Sequence, residues 1–325
     1  MFIHPSFMLF TIFLLFSIVL TISSNSWLFA WVGLEMNLLS FIPIILKKLN
    51  KYSTEVSIKY FLIQSVSSVY LLFFFLFMKS YIIITIMLAL MLKLGAAPFH
   101  QWLPSMADGL SWPSLFILLI LQKLNPLILL SFLMKPGELI DVAHIFIFSS
   151  ALIGSVGGLT HSSLRKILVF SSISHMSWIL AAFLASNWAW FNYFLVYAFI
   201  LLSLIVSLHK TETFSINDLL MKNKSSVSLL ISVSILSIGG LPPFSGFVPK
   251  FIVIQPLLSD KLFFTLFFLL LSTFISLFFY ARMFLSILLL MNSYNNQNFN
   301  YGFNSSLTYL NVSALLLPSI FIIFM

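Results

Sequence analysis

Long apolar runs recur along nearly the whole sequence, and they constrain the fold more than any other feature. A helix that crosses the hydrocarbon core of a bilayer needs about 20 mostly apolar residues, whereas a strand of a membrane barrel needs only about 10. Runs of the longer kind predict an all-α polytopic membrane protein and exclude a barrel. Eleven candidate transmembrane helices follow in order, and they are Ile3–Ile22, Trp27–Leu46, Ile58–Met78, Tyr81–Gly95, Trp112–Met134, Val142–Thr160, Ile167–Ala185, Trp188–Leu208, Val227–Gly239, Leu262–Leu290 and Leu307–Met325.

The charge content agrees with this class. Charged residues make up 7% of the chain, whereas a soluble domain carries about 25%. Eight acidic and sixteen basic residues cannot cover a soluble surface of this size, which excludes a soluble enzyme, a disordered protein and a collagen-like fibre. The bases are scattered and form no basic face, so the net charge of +8 does not indicate a nucleic-acid partner. Because the sequence has no cysteine, this chain holds no disulfide, thiolate metal site or iron–sulfur cluster.

The distribution of lysine and arginine predicts the orientation. When alternate loops are assigned to opposite sides of the membrane, ten bases fall on one side and three on the other. The side with more bases is expected to lie inside, in the cytoplasm or the mitochondrial matrix. The N-terminus is then inside and, after eleven crossings, the C-terminus is outside. The inner group is Lys47, Lys48, Lys51, Lys59, Arg165, Lys166, Lys210, Lys222, Lys224 and Arg282, and the outer group is Lys79, Lys135 and Lys261.

Two short apolar segments end in similar Gly/Pro motifs. The first break contains Gly95 and Pro98, and the second contains Gly240 and Pro243. Gly, Pro, Phe, an aromatic, an aliphatic and a second Pro recur at an offset of 145 residues. Since this offset spans five helices, an odd number, we predict two discontinuous helices in an inverted repeat of five plus five helices. The repeats would cover about 1–135 and 140–290, with a final helix at about 307–325, in one domain over 1–325.

Backbone groups freed at such breaks must face protein or a hydrated cavity, because lipid cannot hydrogen-bond them. The breaks therefore indicate ion binding or conduction. A kink that serves only helix packing is the alternative.

Four ionisable residues lie within the apolar segments: Glu35, Lys93, Lys123 and Lys250. A charge at the centre of a membrane helix costs about 2.5–3.5 kcal/mol on the insertion scale. A lysine in a dry interior can gain and lose a proton near neutral pH without a metal or cofactor. These residues are candidates for a proton relay, and structural pairing is the alternative. Lys250 begins a half-helix and Lys93 precedes a helix end, so we expect their charged forms to be disfavoured and favoured, respectively.

His175 is a weaker candidate. It lies about nine residues into its helix, in a stretch that contains several serines, and could support a chain of hydrogen-bonded water molecules. A hydrogen-bonded core histidine is the alternative. No pair of histidines has a convincing metal or haem spacing.

At these residues the sequence resembles the subunit 2 family of mitochondrial NADH:ubiquinone oxidoreductase (respiratory complex I), in its animal form. The resemblance covers nearly the whole chain in order, and the Asn-rich stretch and final helix are its least specific parts. The motifs that carry it are Ser24-Asn-Ser-Trp27, Gly33-Leu-Glu35-Met-Asn37, Ser53-Thr-Glu55 with Lys59-Tyr-Phe61, Lys93-Leu-Gly95 with Pro98-Phe-His100 and Trp102-Leu-Pro104, Gln122-Lys123, Gly157-Gly-Leu159 with Leu164-Arg-Lys166, Ser171-Ser-Ile-Ser-His175 with Trp178, and Gly239-Gly-Leu-Pro-Pro-Phe244 with Gly246-Phe and Pro249-Lys250.

The resemblance implies an antiporter-like, proton-translocating subunit in the membrane arm of that complex, in the mitochondrial inner membrane. It implies that Glu35 pairs with Lys93, that Lys123 is the central relay, and that Lys250 faces the other half-channel. It also implies neighbouring antiporter-like and accessory subunits and membrane lipids as partners. NADH, FMN, iron–sulfur clusters and ubiquinone would be used by other subunits, and this chain would carry no cofactor.

The sequence departs from the family pattern at Thr160-His161 and at Ser177. Two other functions remain open. The chain could be a subunit of a cation/proton antiporter, or a structural membrane subunit that conducts nothing.

Overall fold

The computed structural model describes residues 5–47, 50–77, 82–134, 139–186, 188–216, 218 and 225–294. The regular elements within these ranges are α-helices. In chain order they are α1 Pro5–Ser23, α2 Trp27–Ile45, α3 Lys51–Phe77, α4 Ile82–Leu94, α5 Trp102–Ala107, α6 Trp112–Leu119, α7 Leu121–Leu133, α8 Ile140–Thr160, α9 Leu164–Ala185, α10 Ala189–Thr211, α11 Ser225–Gly239, α12 Phe247–Ser259 and α13 Phe263–Tyr294.

Seven segments of the described chain are long and apolar enough to cross a membrane, and four shorter apolar helices accompany them. The prediction of an all-helical membrane protein is confirmed. Each of the first ten predicted spans falls on one or two of these helices, whereas the last, Leu307–Met325, lies outside the described residues. The described residues divide into two compact units, with the boundary between Phe146 and Ile147.

The predicted span Trp112–Met134 is interrupted. α6 ends at Leu119 and α7 begins at Leu121, and the amide of Lys123 donates to the carbonyl of Ile120 at 3.1 Å. This is the three-residue spacing of a tighter turn. Pro126 lies farther along, inside α7, where it leaves the carbonyl of Gln122 without its usual helical donor.

Both predicted breaks end their helices in the same backbone conformation. Gly95, just after α4, has a φ of +66°, and Gly240, just after α11, has a φ of +78°. Glycine is the residue that adopts this conformation without a steric penalty. After α4, the amides of Gly95 and Ala96 donate to the carbonyls of Leu92 and Met91, both at 3.1 Å, which is the Schellman pattern of a helix end.

After the second break, the amide of Gly240 likewise donates to the carbonyl of Ser237, at 3.0 Å. The chain resumes as α5, of six residues, after the first break and as α12, of 13 residues, after the second. The short α5 covers only part of the apolar piece that follows the first break.

Small residues let the helices approach closely within each unit. In the first unit, a Cβ on Gly33 of α2 would lie 2.6 Å from Thr21 Cγ2 of α1. In the second unit, a Cβ on Gly154 of α8 would lie 2.5 Å from the backbone nitrogen of Ser174 of α9. Close approach through small residues is the usual way for membrane helices to associate, because lipid removes the hydrophobic drive between them.

α9 is the central helix of the second unit. In the most apolar stretch of α9, 94% of the residues are buried. The helix packs against α10, α12 and α13. Its serines and His175 are polar groups that lipid cannot hydrogen-bond, so this helix is suited to a position covered by protein. Its buried serines donate to carbonyls three residues earlier, as Ser172 does to Val169 at 2.7 Å, which satisfies each hydroxyl within the helix.

We predict that Gly246→Ala strongly destabilises the protein. Gly246 has an ordinary φ of −68°, but a Cβ there would overlap the carbonyl oxygen of Ser237. Overpacking against a fixed group costs typically about 1–3 kcal/mol and sometimes more. Gly239→Ala is the matched control, because its Cβ would meet the movable end of Leu277 at 2.9 Å. Thermal unfolding in mild detergent should rank Gly246→Ala well below Gly239→Ala, and equal midpoints would contradict the prediction.

Candidate functional site

Three of the predicted site residues lie in the first unit, each on a different helix. Glu35 is on α2, Lys93 is in the last turn of α4, and Lys123 is near the start of α7. Lys93 is 6% exposed and Lys123 is 2% exposed. Since α7 packs against both α2 and α4, the packing brings the three helices that carry these groups together.

Glu35 lies within electrostatic reach of Lys93 and of Tyr60. The carboxylate and the ammonium of Lys93 do not form an ion pair within 4 Å, and Oε1 of Glu35 is buried without a hydrogen-bond partner among the described residues. Direct pairing of Glu35 with Lys93 therefore stays a prediction.

Side chains from two other helices satisfy the carbonyls at the end of α4. The indole nitrogen of Trp102 on α5 donates to the carbonyl of Leu92 at 3.2 Å. The amide of Gln64 on α3 donates to the carbonyl of Lys93 at 3.5 Å. The last four carbonyls of a helix lack partners within the helix, so these side chains stabilise the first break in a setting where lipid offers no donor.

Polar residues around Lys123 form a second set of contacts. The hydroxyl of Tyr60 donates to Oε1 of Gln122 at 2.7 Å. Asn125 is fully buried and links α7 to α1: its Nδ2 donates to Ser17 Oγ, and Thr21 Oγ1 donates to its Oδ1, both at 3.3 Å. These contacts hold in place the short helical stretch that carries Lys123.

Several polar atoms of the first unit are buried without a hydrogen-bond partner among the described residues. They include Glu35 Oε1, Asn37 Oδ1 and Gln122 Nε2. Buried polar atoms in native proteins usually have a partner, and such exceptions mark functional positions or contacts with small polar molecules.

Lys250 lies in the second unit, in the first turn of α12, and is 6% exposed. Its Nζ donates to the carbonyl of Gly239 at 2.7 Å and lies 5.9 Å from the ring centroid of Trp178. A Cβ on Gly240 would come within 2.7 Å of this Nζ. Glycine at the break therefore leaves the space in which the lysine side chain lies.

This geometry corrects the predicted electrostatic contrast between the two lysines. The sequence placed the charge of Lys250 at the positive, N-terminal end of α12. The long side chain instead carries the ammonium to the last carbonyl of α11, which is the negative end of a helix. Lys93 also lies at a helix C-terminal end, so helix dipoles no longer give a reason for opposite preferences.

His175 and Lys250 line the same small polar cavity. Nδ1 of His175 lies 2.8 Å from the hydroxyl of Tyr193. The hydroxyl of Tyr280 is buried within reach of Ser171. The cavity is lined by Ser174, His175, Trp178, Ile238, Lys250, Ser272, Thr273, Ser276 and Tyr280.

The sequence analysis missed the aromatic and amide partners in these sites: Tyr60, Gln64, Asn125, Tyr193 and Tyr280. A signal existed, since each is a polar group inside an apolar run. Tyrosine is also common at membrane interfaces, so its role could not be read without its contacts. In the described part of the chain, no group of three or more His, Asp or Glu side chains could hold a metal ion.

Buried lysines beside two helix breaks, in an all-helical membrane fold, define the class of antiporter-like membrane subunits. Solved structures support this fold. A chain of respiratory complex I from Thermus thermophilus, a structure with bound aureothin, superimposes with a TM-score of 0.82 at 19% identity, covering 96% of this chain and 76% of that one. A chain of the Mrp complex from a Dietzia species superimposes with a TM-score of 0.69 at 17% identity, covering 84% and 57%.

Sequence comparisons identify the family. The profile of the NADH:quinone oxidoreductase/Mrp antiporter transmembrane family matches residues 24–82 and 75–276. NADH-ubiquinone oxidoreductase chain 2 of Anopheles gambiae is 40% identical over 314 residues, which cover 92% of this chain and 91% of that one. The same chain of Mammuthus primigenius is 36% identical over 327 residues, covering 94% of each. The chain belongs to this transmembrane family and, within it, to the family of NADH-ubiquinone oxidoreductase chain 2.

We predict that Asn125→Ala destabilises the first unit. The substitution removes two buried contacts to α1 and leaves Ser17 and Thr21 without their side-chain partner. Hydrogen bonds between membrane helices are worth about 0.6 kcal/mol on average and up to about 1.7, so we expect a loss of about 1 kcal/mol. Asn25→Ala, at an exposed position before α2, is the control. Chemical unfolding in detergent measures both, and a loss no larger than that of the control would refute the assignment.

Proposed function

We propose that this chain is a proton-translocating membrane-arm subunit of NADH:ubiquinone oxidoreductase and acts as part of a translocase in the mitochondrial inner membrane. The observation that carries the proposal is the near-complete burial of Lys93, Lys123 and Lys250 within apolar helices. The names of the related chains and the family profile support it.

The energetics favour a functional reason for these lysines. Each charge at the centre of a membrane helix costs about 2.5–3.5 kcal/mol on the insertion scale. Neutral side chains of similar volume would avoid this cost, so a role in stability alone does not account for three such residues. A lysine exchanges its proton with hydroxyls, imidazole or water through ordinary hydrogen bonds, and the buried polar atoms around these lysines supply such partners.

The roles follow from position. Glu35 is the charge partner of Lys93, Lys123 is the central relay, and Lys250 belongs to the other half-channel with His175 as a supporting group. The breaks at Gly95, Pro98, Gly240 and Pro243 keep polar backbone groups within reach of the path. The shared backbone conformation of Gly95 and Gly240 supports an inverted repeat.

The complete chain would have eleven transmembrane helices in one domain: five plus five in the repeat and one at the C-terminus. Its partners would be neighbouring antiporter-like subunits, accessory subunits and membrane lipids. NADH oxidation by FMN, electron transfer through iron–sulfur clusters and ubiquinone reduction would take place on other subunits, so this chain would contain no redox centre or metal.

A cation/proton antiporter subunit is the second candidate, and the likeness to a chain of the Mrp complex favours it. Such a protein would use the same lysines and breaks, because proton binding and cation binding can be coupled through the same buried charges. Dependence of transport on sodium separates this function from proton translocation driven by a redox reaction.

We predict that Lys123→Met and Lys250→Met abolish proton translocation in the assembled complex. Removal of a group that transfers protons typically lowers a rate by about a hundredfold or more. Lys59→Met is the matched control, because Lys59 is exposed and forms an ion pair with Glu55. The measurement is the number of protons moved per NADH oxidised in sealed membrane vesicles, with and without sodium.

Two results would contradict the proposal. Full proton translocation by both buried-lysine variants would indicate a structural subunit that conducts nothing. Transport that requires sodium in the wild type, with no requirement for NADH, would indicate the antiporter instead.

For orientation, we propose that the N-terminus lies in the matrix and the C-terminus toward the intermembrane space. The proposal rests on the unequal distribution of lysine and arginine. The turn between α12 and α13 would then face the intermembrane space, and the end of α10 would face the matrix.

We predict opposite labelling of Ser259→Cys and Lys210→Cys by a maleimide that cannot cross membranes. Both positions are exposed, and the natural chain has no cysteine, so the wild type is an unlabelled control. In mitochondria with a permeabilised outer membrane, Ser259→Cys should react, and Lys210→Cys should react only in inverted vesicles. Labelling in detergent verifies that each cysteine is accessible in the complex. The reverse pattern would invert the assigned topology.

A further inference from the structure

His175 lies against two tyrosines of the neighbouring helix α10, and only one of them bonds to it in the described structure. The hydroxyl of Tyr193 lies 2.8 Å from Nδ1 of His175. The ring centroid of Tyr197 lies nearer, at 4.7 Å from that of the imidazole. Within the described residues, however, its buried hydroxyl forms no hydrogen bond with His175 and lies within reach of Ser172. The two tyrosines are four residues apart and share one face of α10.

The ring of Tyr193 is fixed independently of this bond. It stacks on Trp178 with an interplanar angle of 9° and a centroid distance of 6.5 Å, and Tyr193 is 1% exposed. Because the ring is held by packing, the hydroxyl has a defined position relative to the imidazole. A hydroxyl held in this way can fix the orientation of the His175 ring, because its own position does not depend on the histidine.

The contact at Nδ1 bears on which nitrogen of the imidazole carries the hydrogen. A neutral histidine carries its hydrogen on one ring nitrogen and accepts a hydrogen bond on the other. When the Tyr193 hydroxyl donates to Nδ1, the hydrogen of the ring resides on Nε2. Which nitrogen is protonated is commonly set by the bond that the other one makes.

The groups that face His175 come from three packed helices. They are Tyr193 and Tyr197 from α10, Lys250 from α12 and Tyr280 from α13. His175, Lys250 and Tyr280 line the same cavity, whereas Tyr193 is not among the cavity residues and contacts the imidazole at Nδ1. Tyr193 therefore acts on the cavity through His175.

We propose that Tyr193 is a positioning residue that holds the His175 ring in one orientation and one tautomer, so that Nε2 carries the exchangeable proton toward the cavity that Lys250 lines. This inference rests on the proposed function in proton translocation. It adds a residue to the path that transfers no proton itself and determines how His175 presents one.

The test compares Tyr193→Phe with Tyr197→Phe in the assembled complex. Each substitution removes one buried hydroxyl beside the same imidazole and keeps the aromatic ring. One intramolecular hydrogen bond corresponds to about a three- to tenfold effect. We expect Tyr193→Phe to lower NADH-driven proton translocation by that factor, and Tyr197→Phe to remain within about twofold of the wild type.

Two further measurements separate positioning from packing. In a His175→Gln background, Tyr193→Phe should cause no additional loss, because the residue acts through the imidazole. Infrared spectra with isotope-labelled histidine should show one tautomer of His175 in the wild type and in Tyr197→Phe, and a mixture in Tyr193→Phe.

The other outcomes overturn either the positioning role or the proposed function on which it rests. Equal losses in the two Phe variants, or failure of Tyr193→Phe alone to assemble, would assign Tyr193 to packing. A further loss in the His175→Gln background would mean that Tyr193 acts independently of His175. An unchanged tautomer in Tyr193→Phe would refute positioning, even if Lys250→Met abolishes proton translocation. A changed tautomer in Tyr193→Phe, together with full proton translocation by Lys250→Met, would refute the proposed function and leave the positioning contact intact.

Discussion

The structure depends on the satisfaction of backbone polar groups where helices end inside an apolar environment. A membrane offers no water to carbonyls at such a position, so protein groups must donate to them. At the first break, Trp102 and Gln64 donate to the last carbonyls of α4. At the second break, the donor to the last residue of α11 is the ammonium of Lys250. The same requirement that permits a broken helix thus places a titratable group at the second break.

This arrangement couples charge to backbone structure. An ammonium at the C-terminal end of a helix interacts favourably with the negative end of the helix dipole. When Lys250 loses its proton, the charged part of this interaction is lost, although an amine can still donate. The state of the lysine and the stability of the break are therefore linked. Gly240 is essential to this geometry for a steric reason as well as a conformational one, since a Cβ would meet the side chain of Lys250.

Hydroxyl and amide side chains have two uses in this fold. Buried serines mostly donate a hydrogen bond to a carbonyl in the preceding turn, as Ser203 does to Ile200. This bond makes serine compatible with an apolar helix, and its small side chain allows close packing. Residues with longer side chains connect different helices, as Asn125 does from α7 to α1. Helix association in lipid relies on such contacts, because apolar surface gains little by leaving one apolar medium for another.

Sequence alone determined the class of fold, most of the helices, both breaks and the buried ionisable residues. The reason is that these features are local: a long apolar run forms a helix in a membrane, and a glycine followed closely by proline commonly marks a turn or a helix end. The interruption at Ile120 was missed, because Ile120 stands in a continuous apolar run and the nearest prolines, Pro113 and Pro126, lie inside the helices on either side of it.

Tertiary structure decided the partners of those residues. The side chain of Lys250 extends back to Gly239 rather than remaining at the start of its own helix, and Tyr193, not Tyr197, bonds to His175. Both facts depend on the rotation and separation of packed helices, which differ by a few ångströms between alternatives that one sequence pattern allows. Sequence periodicity specifies which face of a helix is polar, and only packing specifies which atom that face meets.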